Sequence, residues 1–112
     1  MQWVCKVLLT EEAVNLLHDK SFLGSADDLR DGYIHLSTPE QVAGTLRRHF
    51  SGRCGLLAAL CPTDDLGSAL KWEPSRDGAL FPHLYGPLTL SNVKGLFPIP
   101  EIHDGWIVPS LA

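Results

Sequence analysis

No apolar run approaches the roughly 18 residues that a membrane-crossing helix needs. The opening residues, Met1 to Lys6, lack the charged, apolar and small-residue zones of a secretion signal. These absences set the expectation of a cytoplasmic protein that makes no membrane contact. Cysteine is scarce as well. Cys5, Cys54 and Cys61 are odd in number and show neither metal-type nor redox-type spacing. That argues against a disulfide scaffold and fits a reducing compartment. Positive charge is in short supply: 9 Lys and Arg stand against 13 Asp and Glu, for a net charge of −4. The usual electrostatic footprint of a nucleic-acid binder is therefore missing, and the adjacent Arg47-Arg48 reads as a solvated helix face. A P-loop, a G-x-S-x-G elbow and a G-x-G-x-x-G turn are all absent.

What remains is an ordinary globular chain of 112 residues, 45% hydrophobic and 20% charged. Its length fits one domain over residues 1–112, large enough for a core without staples. Trp3 to Leu9 reads as a first strand. Thr10 is a fair cap for a helix that carries Glu11 and Glu12 in its first turn, where the helix dipole favours negative charge. Ala13, Val14, Leu16 and Leu17 supply that helix with a stripe to bury. Ser21 to Arg30 has no sustained period and reads as a loop. A second helix is expected from Pro39 to Phe50, with Val42, Leu46 and Phe50 along one line. Gly55 to Cys61 is a short continuous apolar run, as in a strand buried on both faces.

Leu66 to Trp72 reads as a short helical turn or an edge strand. The prolines of Phe81 to Leu88 forbid a helix and point to an edge strand or irregular pairing. Val93 to Ile99 and Gly105 to Val108 complete the strands. The expected class is α+β, with two helices near the N-terminus and five or six short strands.

The segment Asp31 to Gln41 holds the densest information. Asp31-Gly32 favours a tight turn. Tyr33 to Ser37 then alternates, with Ile34 and Leu36 on one face and Tyr33, His35 and Ser37 on the other. Thr38, Pro39 and Gln41 form a helix start with a capping box. A polar row of Tyr, His and Ser thus lies on a strand whose other face is ready for a core. His83 and Tyr85 share one side of a second extended segment in the same way.

His18 and His49 fall at helix ends, where a cation serves the dipole, and His103 lies in a C-terminal loop. Glu73 sits between Trp72 and Pro74. A carboxylate beside a tryptophan is expected to be partly desolvated and its pKa raised, which suits proton transfer or cation stabilisation. His35 and His83, with Tyr33, Tyr85 and Glu73, therefore outline a pocket. The plainer alternative is that the two histidines only tie loops together. No H-x-H or H-x-x-x-H pair occurs among these residues, so no metal is assigned.

Asp31 to Thr38, Gln41-Val42, Trp72-Glu73 and Phe81-Pro82-His83-Leu84-Tyr85-Gly86-Pro87-Leu88 together resemble the domain-of-unknown-function family numbered 952. The match runs from about Val4 to Ile99. The resemblance implies a fold like that of the ADP-ribosyltransferases, a small, split, curved mixed sheet around a cleft that takes NAD or ADP-ribose. In one branch of that fold a histidine holds a ribose hydroxyl, tyrosines stack on nicotinamide, and a glutamate stabilises an oxocarbenium-like ribose. By that likeness His35 and Glu73 are the candidate catalytic residues, and Tyr33, Ser37, His83 and Tyr85 the candidate ligand-binding ones. Glu73 departs from the branch in preceding the His83–Tyr85 segment.

Two functions follow as expectations. One is an enzyme that transfers or hydrolyses a ribosyl group. The other is a non-catalytic domain binding a small molecule or a partner through the same pocket.

Overall fold

A computed structural model of the protein describes residues 2–103 and 105–109. Strand β1 (Trp3–Leu9) leads straight into helix α1 (Thr10–Asp19), followed by the short β2 (Ser21–Phe22) and α2 (Ala26–Asp31). Strand β3 (Ile34–His35), a 3₁₀ turn (Pro39–Gln41) and α3 (Val42–His49) come next. After β4 (Leu56–Pro62) stand α4 (Thr63–Leu66), β5 (Leu70–Pro74), β6 (Leu80–Leu84) and β7 (Leu88–Thr89). Strands β8 (Gly95–Ile99), β9 (Glu101–Ile102) and β10 (Gly105–Trp106) close the chain.

The class is α+β. Every strand pair among the described residues is antiparallel, so the expected mixed sheet is not found. The strands form two three-stranded sheets, β1-β4-β8 and β3-β6-β5, and two two-stranded ribbons, β2-β7 and β9-β10. Strand β4 is central in the first sheet, as its unbroken apolar run requires. Strand β1 is buried on both faces as well. Val4 and Leu8 enter one core with Leu16, Ile34 and Leu84. Cys5 and Val7 enter a second core with Val42, Leu46 and Leu56. This two-sided burial is why β1 reads as continuously apolar, and it makes Lys6, in the middle of the strand, an anomaly.

Several expectations need correction. The presumed loop Ser21 to Arg30 contains β2 and most of α2. Helix α2 is short and starts with local hydrogen bonds: the Asp28 N–H donates to Ser25 Oγ at 3.2 Å and the Ser25 N–H to Asp28 Oδ2 at 2.9 Å. It is therefore built on polar capping and shows little apolar periodicity. In α1 only Ala13 and Leu16 are buried, while Val14 and Leu17 face outward.

Strand β6 is the middle of its sheet, not an edge, despite Pro82. In an antiparallel strand the N–H and C=O of one residue point to the same neighbour. The Pro82 carbonyl accepts from the Leu36 N–H at 3.0 Å. The missing proline N–H therefore falls just past the end of the two-residue β3, and the β5 side keeps its ladder.

Among the described residues, one isolated bridge joins β1 to the segment that follows β3. Cys5 and Ser37 exchange both backbone hydrogen bonds, at 2.8 and 2.9 Å, as an isolated antiparallel bridge. Beyond it β1 and β3 part. Four of the candidate site residues, Tyr33, His35, Ser37 and His83, line the cleft at that gap.

Candidate functional site

In β3, Ile34 and Leu36 direct their backbone groups to β6, so those of His35 and Ser37 point towards β1. Ser37 finds Cys5 there. His35, one step into the gap, finds side chains instead: its N–H donates to Asp28 Oδ1 at 3.0 Å, and its carbonyl accepts from Lys6 Nζ at 3.2 Å. Lys6 and Asp28 also pair with each other, Nζ to Oδ2 at 2.9 Å, with side chains only 8% and 1% exposed. Asp28 is thus reached by Lys6, by the His35 backbone and ring, and by the Ser25 N–H. Burial on its own would raise the Asp28 carboxyl. The His35 ring, the Lys6 charge and the Ser25 and His35 amides outweigh it and hold the carboxyl well below the usual carboxylate range.

The His35 ring lies between two carboxylates. Nδ1 is 2.7 Å from Asp28 Oδ1 and Nε2 is 3.0 Å from Asp31 Oδ2. Carboxylates only accept, so each ring nitrogen faces an acceptor and neither is left for another partner. Arg30 braces Asp31 from outside through Nε at 2.9 Å and also reaches Asp27 at 3.2 Å. That contact lowers the Asp31 carboxyl.

His83 faces His35 across the β3–β6 ladder, with ring centroids 5.7 Å apart. Its side chain is 5% exposed, and Nδ1 lies 2.7 Å from Glu73 Oε1. The same oxygen accepts from the Tyr85 hydroxyl at 2.8 Å. Tyr33 covers this group, stacked on His83 at 4.1 Å and tilted against His35 at 4.7 Å and Tyr85 at 5.2 Å. Burial, followed by the nearby carboxylates, pushes the Tyr33 hydroxyl up, so it stays a neutral donor.

A cleft of about 290 Å³ opens over the gap. Lys6, Asp28, Tyr33, His35, Ser37 and His83 are among its walls, and α3 and the turn that follows it contribute Thr45, His49 and Phe50. Four of the six residues expected from the sequence, Tyr33, His35, Ser37 and His83, therefore meet at one cavity. Glu73 and Tyr85 are not among its lining residues; they stand behind His83.

The expected environment of Glu73 is reversed too. Hydrogen bonds from His83 first and Tyr85 second lower its pKa, where a raised one was expected from the adjacent tryptophan. Ser37 is buried, with Oγ 2.8 Å from Thr45 Oγ1. Among the described residues no group of three or more His, Cys, Asp or Glu is arranged to hold a metal ion.

Sequence reasoning missed Lys6, Asp28 and Asp31. Lys6 had left a signal, as the single charge inside an otherwise apolar strand. Asp28 had left a weaker one, three residues after Ser25 in capping-box spacing.

An α+β domain with a histidine-walled cleft in a split between antiparallel sheets is the class defined by this geometry. Residues 8–96 match the family described as protein of unknown function (DUF952), and the chain belongs to that family. The chain is similar to protein CC0527 of Caulobacter crescentus. Its crystal structure is 41% identical with a TM-score of 0.89, covering 97% of this chain and 94% of that one. A solution NMR structure of the same bacterial protein aligns at 40% identity with a TM-score of 0.84, over 96% of this chain and 92% of that one. No curated protein matches. Among the described residues no helix is long and apolar enough to cross a membrane.

Proposed function

We propose that the cleft binds the ribosyl portion of a nucleotide, NAD or ADP-ribose type of ligand. The observation that carries this reading is the pair His35 and His83, set opposite each other on neighbouring strands, capped by Tyr33 and open to one cavity. Hydrogen-bonding rings beside an aromatic face suit a sugar hydroxyl and a planar base.

At about 290 Å³ the cavity matches one sugar-plus-base unit, near the low end of small-molecule sites. Its charges are largely paired with each other, Lys6 to Asp28 and Arg30 to Asp27 and Asp31. The diphosphate of a dinucleotide is therefore assigned to the outside of the cleft. In this reading the gap between β1 and β3 is the counterpart of the ADP-ribosyltransferase cleft.

Glu73 takes a different part from the one implied by that resemblance. It orients His83, and the groups nearest a bound ribose are His35, His83 and Tyr33. Three free cysteines, two of them buried, support a reducing compartment such as the cytoplasm.

Calorimetric titration with nicotinamide riboside, ADP-ribose and NAD tests the reading. Binding by the wild-type chain and its loss in His35→Ala, with the fold intact by circular dichroism, is the expected result. Absence of heat from all three at millimolar concentration overturns it.

A further inference from the structure

The two histidines have their nitrogens committed differently. Both ring nitrogens of His35 are held by carboxylates. In His83 only Nδ1 is held, and Nε2 has no hydrogen-bond partner among the described residues although the side chain is 5% exposed. An unpartnered polar atom on a ring this deeply buried is expensive unless something supplies a partner. Glu73, an acceptor, fixes the hydrogen on Nδ1 and leaves the lone pair on Nε2. Glu73, itself bonded by Tyr85, takes Nδ1 and neither residue lines the cleft, so Nε2 is the nitrogen that His83 has left to offer to the cleft it lines.

We infer that His83 is the general base of this cleft, acting on a water molecule, and that Glu73 and Tyr85 are its positioning residues. This rests on the ribosyl reading above and gives it a reaction: hydrolysis of an N-ribosyl compound whose base leaves as a neutral ring. His83 Nε2 takes a proton from water. The O–H electron pair forms the new bond from oxygen to the anomeric carbon. The bond from that carbon to the ring nitrogen breaks, and its pair stays on the nitrogen, cancelling a pyridinium charge. The proton ends on His83, where the Glu73 carboxylate faces it across Nδ1. His35, with both ring nitrogens held by Asp28 and Asp31, has no free nitrogen to accept that proton and serves as a fixed wall of the cleft. A carboxylate–histidine pair of this kind orients the ring and stabilises its protonated form. Tyr33, stacked on His83, limits the ring's rotation.

The test uses the full chain and nicotinamide riboside. In the free protein, nitrogen–proton correlation spectra are expected to show His83 as the Nδ1–H tautomer. The Nε2–H tautomer overturns the assignment before any ligand is added. With the riboside, nicotinamide release is expected. His83→Asn keeps a donor towards Glu73 and removes Nε2, and should lower kcat at least 100-fold with KM within about threefold. Glu73→Gln should lower kcat about tenfold with KM unchanged, alongside loss of the single tautomer.

Riboside that binds without turnover, or turnover that survives in His83→Asn, overturns the base assignment while the ribosyl reading stands. Failure to bind the riboside at all removes the ribosyl reading and this reaction with it.

Discussion

Lys6 and Asp28 complete the backbone hydrogen bonding of His35 just beyond the isolated Cys5–Ser37 bridge to β1. Strands that part inside a protein leave amide and carbonyl groups in need of partners. Here one ammonium and one carboxylate supply them, and their own charges cancel across 2.9 Å. The polar filling keeps the gap open as a cleft, where apolar side chains would have closed it into core.

Removing Asp28 should therefore be one of the most damaging single changes in the molecule. Asp28→Ala strands a buried Lys6 ammonium and the His35 amide, a situation that typically costs about 3–5 kcal/mol. Lys6→Met should cost less, because Asp28 keeps His35 and the Ser25 amide. The double variant should lose less than the sum of the two, since the second change removes the charge left unpaired by the first. Urea denaturation of the four proteins measures this cycle. Strict additivity would show that the pair does not act as a unit.

The same carboxylate makes stability depend on acid. Its folded pKa lies below the unfolded one, so between the two values the unfolded chain binds the extra proton. The stabilisation is complete above the unfolded value of about 4 and is lost as pH falls towards the folded value. Asp28→Asn should flatten the acid limb of a plot of urea midpoint against pH. If wild type and variant run parallel below pH 4, Asp28 is not a main source of the limb.

Much of this arrangement was legible in the sequence, and the illegible part has a common cause. The alternation from Tyr33 to Ser37 and the apolar runs of β1 and β4 reflect local periodicity, which a side chain carries whatever its partners. That is enough to place His35 and His83 on strands and to put Tyr33 on the side of the ring group. Side-chain partnerships across the gap are different. Asp28 meets Lys6 and His35 only after α2 folds back on β1, and α2 has no periodic pattern to announce it. Glu73 was misjudged for the same reason: its neighbour in sequence is Trp72, but its electrostatics are set by His83 and Tyr85, ten and twelve residues away. Pro82 in a central strand was misjudged because a proline marks an edge only if its missing N–H faces a continuing neighbour.

The three cysteines should differ sharply in reactivity. Burial, reinforced by nearby groups, pushes the thiols of Cys5 and Cys61 up to about 12, whereas Cys54 is exposed. A disulfide reagent at neutral pH should label Cys54 alone in the folded chain and all three in denaturant. Rapid native labelling of Cys5 would mean that β1 opens from Ser37, because the Cys5 Sγ also lies 3.4 Å from the Ser37 carbonyl.

The approach of Gly24 to Asp28 offers a way to disturb the site without touching its charges. Gly24 has φ of +136°, and a Cβ built there would lie 2.8 Å from the Cβ of Asp28. Gly24→Ala must therefore both accept an unfavourable backbone conformation and push the start of α2 away from Lys6 and His35. The backbone term alone is on the order of 1–3 kcal/mol. Gly52 has φ of +78° and open space around its built Cβ, so Gly52→Ala carries the backbone term with no contact term. Gly24→Ala should accordingly lower the urea midpoint further than Gly52→Ala, and it alone should shift the His35 ring resonances. Equal losses with an unmoved His35 would mean that Asp28 is held by its hydrogen bonds firmly enough for the Gly24 loop to yield instead.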